Sequence, residues 1–165
     1  MTGPAAETVA PLVSIFGLNT KLFRNCLDGL SDAAAQARPN QQTNNLAFIG
    51  GHLVETRAWM GRYLGLETPA PFGGMLEHGP GIDAVPDLPS VAEIRSVWEA
   101  LSGALLRRLN DLTVAELAAP SPQRFPGVAA TVIGGIAFLV QHESYHVGQM
   151  AYVRKYLGLS PMSYR

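Results

Sequence analysis

Apolar residues recur at steps of three and four along four long segments of this 165-residue chain, the spacing that gives a helix one apolar face. The segments cover about residues 9–30, 43–64 and 91–109, and a last one from near Gly127 or Ala129 to Leu157. No segment alternates apolar and polar residues as a half-buried strand does. The sequence therefore predicts an all-α protein, and four amphipathic helices favour a four-helix bundle.

Local signals mark where several of these helices begin and end. Ser90 with Glu93, and Thr113 with Glu116, form the capping-box pattern that opens the third long helix and a short helix after it. Gly158 suits the C-terminal cap of the last helix.

The connection between the second and third long helices, residues 68–89, is rich in Gly and Pro and too long for a tight hairpin. We expect it to cross along the bundle, which gives an up-down-down-up path. The length of the chain suits a single domain that spans residues 1–165.

Composition excludes several classes of protein. The chain is 47% hydrophobic and 15% charged, with a net charge of -1, so it lacks the basic excess that nucleic acid or an anionic membrane attracts. No segment reaches the roughly 18 uninterrupted apolar residues of a membrane span. The single cysteine, Cys26, rules out an internal disulfide, and its place on an apolar stripe indicates core packing. We expect a soluble cytoplasmic protein that binds neither nucleic acid nor membranes.

Two of the four histidines lie one turn apart in the last helix, within the stretch HESYH. Spacing of four residues lets His142 and His146 bind one metal ion, which would also satisfy imidazole nitrogens placed in an apolar seam. His52, on the second helix, is a candidate third ligand. His78 lies among glycines in the long connection and is expected to be a solvated loop residue.

These features also have purely structural interpretations. The histidine pair can be an accident of a core or surface position, and His52 can be a hydrogen-bonded core residue. Asn19 and Thr20, which interrupt the first apolar stripe, indicate a local irregularity of the helix rather than part of a site.

HESYH matches the H-E-x-x-H signature of zinc peptidases, but the rest of the chain disfavours that function. No His, Asp or Glu follows His146, so no third ligand can come from downstream. Glu143 is rotated about 100° from His142 on a straight helix and faces away from the pair. We therefore predict that Glu143 is not a general base but a residue of the helix surface or of an interface.

Two segments together resemble the DinB/YfiT-like superfamily of metalloenzymes: NNLAFIGGHLVETRAWMGRYLGL, residues 44–66, and HESYHVGQMAYVRKYLGL, residues 142–159. The resemblance implies an up-down-down-up four-helix bundle that binds a divalent metal through His52, His142 and His146, and it implies a homodimer. It places Gln149 where its amide can reach the metal's open side or the outer nitrogen of a histidine. Gly148 is expected to let the helices pack closely at that level.

Three neutral histidines would leave a divalent Zn, Ni, Fe or Co ion with an open position, which is the pattern of catalytic sites. Gln149, Glu55 and Tyr145 are the candidates to hydrogen-bond the ligands or reacting groups. Glu55 equally suits a surface carboxylate paired with Arg57 or Arg62.

Some members of the superfamily that the sequence resembles use low-molecular-weight thiols such as bacillithiol, mycothiol or glutathione. We therefore expect a metal-dependent hydrolase or thiol-dependent transferase that acts on a small molecule. The alternative is a non-catalytic bundle that binds a metal or a small ligand, and the fold alone does not choose between the two.

Overall fold

The computed structural model describes residues 4–76 and 81–164, and over these residues the chain forms helices and no strand. The all-α prediction is confirmed. The α-helices are α1 (Pro4–Leu27), α2 (Asp32–Gln36), α3 (Leu46–Tyr63), α4 (Val91–Asp111), α5 (Val114–Ala118) and α6 (Val132–Tyr156), and a short 3-10 turn covers Ile82–Ala84. Among the helices of the described ranges, none combines the length and the apolar character of a membrane span.

Side chains cap the starts of these helices as their sequences indicate. Both predicted capping boxes are present, at the start of α4 and at the start of α5. The last helix begins later than predicted, at Val132, because Thr131 caps it by accepting from the Gly134 amide. The residues just before Thr131 are not helical, and this part of the chain pairs with the loop before it through a Pro120–Thr131 bridge and a hydrogen bond from the Ser121 amide to the Ala130 carbonyl.

The first long segment, about residues 9–30, contains most of α1 and the turn after it, and the short helix α2 lies beyond its end. Helix α1 ends at Leu27, and Gly29 turns the chain with a φ of 70°. Ser31 then caps α2, whose Ala35 is fully buried and lies in the core that α3 helps to form. Five residues are too few to show a helical period, which is why periodicity missed α2.

The four long helices surround a common core, in which α1 and α3 each pack against both α4 and α6. One apolar cluster contains Phe23 and Trp98, whose rings stack with centroids 3.7 Å apart, and a second contains Phe16, Leu105 and Ile136. Cys26 is fully buried in the first cluster, so its predicted role in core packing is confirmed.

A layer of hydrogen-bonded polar side chains is buried within this core. Asn19 donates to the Ser144 hydroxyl over 2.9 Å, and the Thr20 hydroxyl accepts from the guanidinium of Arg57 over 2.9 Å. The interpretation of Asn19 and Thr20 as a helix irregularity is wrong, because α1 runs through both without a break. They interrupt the apolar stripe because they supply partners to polar groups on α3 and α6.

Candidate metal centre

Helices α3 and α6 bring three histidine rings together. Nε2 of His142 lies 3.1 Å from Nε2 of His146 and 3.4 Å from Nε2 of His52. One ligand atom from each ring falls within 4.8 Å of the other two. Tetrahedral zinc with Zn–N bonds of 2.0–2.1 Å separates its nitrogens by about 3.3 Å, so this donor set fits a divalent ion.

Hydrogen bonds to the outer nitrogens orient two of the rings. Nδ1 of His52 lies 2.6 Å from the carbonyl oxygen of Leu76, which can only accept, so Nδ1 carries the proton. Nδ1 of His146 lies 2.7 Å from Oε1 of Gln149 and donates to it in the same way. Both Nε2 atoms therefore present lone pairs to the centre of the cluster, the tautomer that a metal ligand requires.

The surroundings of the His142 ring also favour a cation at the centre of the cluster. Its Nε2 faces the two lone pairs of the other rings, and its buried Nδ1 has no hydrogen-bond partner among the described residues. A single proton on Nε2 cannot form a good hydrogen bond to both neighbouring rings, whereas a cation at the centre accepts three lone pairs at once.

Burial favours the neutral form of the two histidine rings on α6. Burial, with the neighbouring His146 and His52, lowers the pKa of His142 to about 4. Burial and His52 also lower the pKa of His146, against a smaller upward effect of its hydrogen bond to Gln149. Neutral imidazole is the form that binds metals, so the lowered pKa values of His142 and His146 favour metal binding near pH 7.

Gln149 reaches one of the two positions that the sequence predicted for it, the outer nitrogen of a histidine ligand candidate. Its amide nitrogen in turn donates to the hydroxyl of Tyr145 over 3.1 Å. Tyr145 is 58% exposed and contacts the cluster through Gln149 and through an edge contact with the His146 ring. The chain Tyr145–Gln149–His146 thus fixes one ring from the solvent side.

Glu55 is fully buried, which contradicts its alternative interpretation as a surface carboxylate paired with Arg57 or Arg62. Its carboxylate accepts from the backbone amides of Phe72, Gly74 and Leu76, over 3.1, 2.8 and 2.7 Å. Leu76 is also the residue whose carbonyl orients His52. Glu55 therefore acts on the site indirectly, by holding the loop that fixes the His52 ring.

Replacing Glu55 by Gln is expected to weaken divalent metal binding by about 10- to 100-fold, the usual cost of disturbing a group behind a metal ligand. The neutral amide directs an N–H group at the loop amides, so the Leu76 carbonyl loses its fixed position. Titration of the metal-free protein with Zn²⁺ against a competing chelator measures the affinity. The exposed Glu67 provides the matched control, since Glu67→Gln should leave the zinc affinity unchanged. Equal affinities in both variants would contradict the role of Glu55.

Glu143 is 4% exposed, so its predicted position at the helix surface or in an interface is wrong. Its oxygens accept from Nε and Nη2 of Arg57 over 2.6 and 2.8 Å. Arg57 lies between the rings of Phe16 and Trp98, at 4.0 and 3.4 Å from their centroids, and also contacts the Ser102 hydroxyl. Burial lowers the pKa of Arg57, and Glu143 opposes that shift. Both carboxylate oxygens of Glu143 are therefore engaged in a buried ion pair.

Two other predictions concern Gly148 and His78. Gly148 does not allow close packing, because it is exposed and a side chain added there would meet nothing within 4 Å. The close approach occurs instead at Gly135 of α6, where an added side chain would collide with Tyr63 and Phe125. His78, predicted to be a loop residue, lies outside the described residues.

A cavity of about 200 Å³ opens beside the histidine cluster. It is lined by His52, Thr56, Trp59, Gln123, Phe125, Phe138, Leu139 and His142. Sequence reasoning missed its aromatic residues. Helical spacing carries the signal for two of them, because Trp59 follows His52 by seven residues and Phe138 precedes His142 by four. Nothing local marks Phe125, which comes from the loop before α6.

The fold and the cluster define a helical protein with three histidines that could hold a metal ion. A sequence model of the DinB superfamily matches residues 16–150, most of the chain, and the protein belongs to that superfamily. The resemblance seen in the sequence is therefore confirmed. No curated protein matches the chain.

Proposed function

We propose that this protein is a metal-dependent enzyme that acts on a small molecule at the three-histidine cluster. The observation that carries the proposal is the convergence of three Nε2 atoms, two of them oriented by hydrogen bonds to their outer nitrogens. A divalent Zn, Ni, Fe or Co ion bound there would supply Lewis acidity and lower the pKa of a bound water or thiol. Hydrolysis and transfer to a low-molecular-weight thiol are the two reaction classes that this chemistry suits.

The chain's own residues would hold the ion and shape the space beside it. His52, His142 and His146 supply the ligands, and Gln149 and the Leu76 carbonyl keep two of the rings in place. The aromatic side chains of the adjacent cavity limit the room for water around a bound molecule.

One observation favours a second candidate, a non-catalytic bundle that binds a metal or a small ligand. The described residues that line the cavity include no carboxylate, and Glu143, the nearest acid in the sequence of α6, is bound to Arg57. An enzyme without a general base in its chain would depend on the ion, or on the substrate, for proton transfer.

The test uses protein purified without an affinity tag, since a tag could itself bind metal. We expect Gln149→Ala to lower metal affinity by about 10- to 100-fold, because the His146 ring loses the acceptor that orients it. Gln141→Ala, an exposed change on the same helix, is the control and should keep the parent metal affinity. Hydrolysis and thiol transfer are then assayed over a panel of small molecules. Firm metal binding without turnover in the parent protein would favour the binding protein.

We further propose that α1, α3, α4 and α6 follow an up-down-down-up path within a single domain of residues 1–165. Two contacts support parallel α1 and α6, since Asn19 meets Val140 and Cys26 meets Val147. The connection after α3 also supports a crossover, because Thr68 contacts Ala58 in the later half of that helix while Leu76 contacts His52 in its earlier half.

We propose a homodimer, as the family resemblance implies. Three exposed tyrosines on α6, at positions 145, 152 and 156, form a stripe with the spacing of one helix face and offer apolar area for a partner. Sedimentation at micromolar concentration is expected to give about twice the 17.6 kDa of one chain, and a 17.6 kDa species would contradict the dimer. The cytoplasmic location and the lack of nucleic-acid and membrane partners stay predictions from composition, and a small-molecule partner stays a prediction from the histidine site and the family resemblance.

A further inference from the structure

We propose that the cavity beside the histidines binds a flat, uncharged apolar group, such as an aryl ring, while a polar group of the same molecule faces the three Nε2 atoms. This substrate class deepens the proposed function. The placement of the polar group at the histidines rests on the proposed function, whereas binding of the ring rests on the cavity alone.

The size of the cavity suits one ring. Its volume is about 200 Å³, and a dry cavity of about 150 Å³ in an engineered protein is enough to take up benzene. His52 and His142 form part of its wall, so a molecule inside it lies beside the ligand atoms of the cluster. The cavity is smaller than the roughly 300–1,000 Å³ pockets that hold drug-sized ligands, so it suits a six-membered ring with a short substituent.

Three aromatic side chains, those of Trp59, Phe125 and Phe138, form walls of the cavity that can pack against a flat group. Phe125 stacks on Phe138 with centroids 4.9 Å apart, and Trp59 meets Phe125 edge to face at 5.9 Å. Phe138 also lies parallel to the ring of His142, within 22° and 6.3 Å. A bound aryl ring can therefore meet both faces and edges of aromatic neighbours, the arrangements that aromatic pairs prefer.

The aromatic walls are held in place before any ligand arrives. Trp59 stacks on Tyr63 at 5.5 Å, and the Tyr63 hydroxyl donates to the carbonyl of Val132 and pairs with the Ser121 hydroxyl. Gly135 leaves the room that Tyr63 and Phe125 occupy. Fixed walls lower the entropic cost of binding, so a small ring can bind without rearranging them.

The lining also selects against charge. None of the described residues that line the cavity has an acidic or basic side chain besides the two histidines of the cluster. The hydroxyl of Thr56 donates to a carbonyl of its own helix over 2.8 Å. A carboxylate on the ring would lose its hydration without gaining a cationic partner, which is costly. The carboxylates of a peptide-like thiol would have to lie outside this cavity.

The test compares two probes that bind a metal through the same hydroxamate group, benzohydroxamate with a ring and acetohydroxamate without one. On the zinc-loaded protein we expect benzohydroxamate to bind at least about 30-fold more tightly, since one methylene in a hydrophobic pocket already gives about 10- to 200-fold. Phe138→Ala should remove most of this difference and leave acetohydroxamate affinity and zinc content unchanged. Tyr164→Ala, an exposed change outside this cavity and outside the proposed dimer stripe, should leave both affinities unchanged. A 4-carboxylate on the benzohydroxamate should weaken binding by at least about tenfold.

A second measurement needs neither metal nor variant. Benzamide added to the metal-free protein should shift the indole NH resonance of Trp59 saturably, while the indole of Trp98, which donates to the Thr20 carbonyl elsewhere in the core, stays unchanged. Acetamide should shift neither. Binding of benzamide by a protein that takes up no metal would support the ring site and overturn the proposed function. Firm metal binding, with equal hydroxamate affinities and no benzamide shift, would overturn the ring site alone.

Discussion

His142→Ala is expected to lower the affinity for a divalent ion by much more than about 100-fold. Loss of a residue that only hydrogen-bonds a metal ligand costs about 10- to 100-fold. His142 is the central ring of the cluster, because its Nε2 lies within 3.4 Å of Nε2 of both other histidines. Without it, two nitrogens on different helices remain, and water must supply the other ligands. Zinc titration against a chelator, on protein checked for unchanged helical content, measures the effect.

His52→Ala and His146→Ala should give losses of the same kind. His78→Ala serves as the matched control, since the sequence places that histidine in the long connection, and it should keep the parent affinity. Metal content in His52→Ala equal to that of the parent would remove His52 from the site and leave the pair on α6 as an incomplete one. Equal content in all three variants would end the proposal of a metal centre.

Glu143→Gln is expected to destabilise the protein by about 3–5 kcal/mol, because it leaves the charge of Arg57 buried without its partner. The side chains of Arg57 and Glu143 are only 1% and 5% exposed, so solvent cannot compensate. Urea unfolding followed by circular dichroism measures the loss. The exposed pair of Arg24 and Glu99 provides the control, where Glu99→Gln should cost no more than about 1 kcal/mol.

The double variant Arg57→Met with Glu143→Leu separates the buried charge from the packing. Removing both charges should recover much of the lost stability, since replacing a buried ion pair by apolar residues of similar volume is often neutral or stabilising. A Glu143→Gln protein as stable as Glu99→Gln would contradict the structural role of the pair. Loss of activity with stability and metal content retained would instead return Glu143 to the role of a general base.

The helices and the histidine cluster were predictable because their signals are local. Apolar spacing located the four long helices, Ser90 and Thr113 located two helix starts, and a four-residue step placed His142 and His146 on one face. The family motif added His52. The three histidines do lie together, while metal binding by them stays a prediction.

The roles of the two buried carboxylates were not predictable because their partners are distant or irregular. Arg57 lies 86 residues from Glu143 along the chain, and no periodicity shows that their helices face each other at that height. Glu55 binds three amides of a loop without regular structure, so no sequence pattern specifies its partners. Both positions look like ordinary helix-surface acids until the tertiary contacts are known.

The ion pair between Arg57 and Glu143 also selects the register of α3 against α6. Apolar side chains tolerate sliding, because one hydrophobic surface resembles the next, but a bidentate pair forms at a single height. Sliding α6 by one turn would move its histidines by about 5.4 Å relative to His52. That shift exceeds the 4.8 Å within which the three ligand atoms now lie, and it would leave two opposite charges buried apart. The ion pair between Arg57 and Glu143 thus destabilises shifted arrangements of α3 and α6 that lack the histidine cluster, although the pair is not part of that cluster.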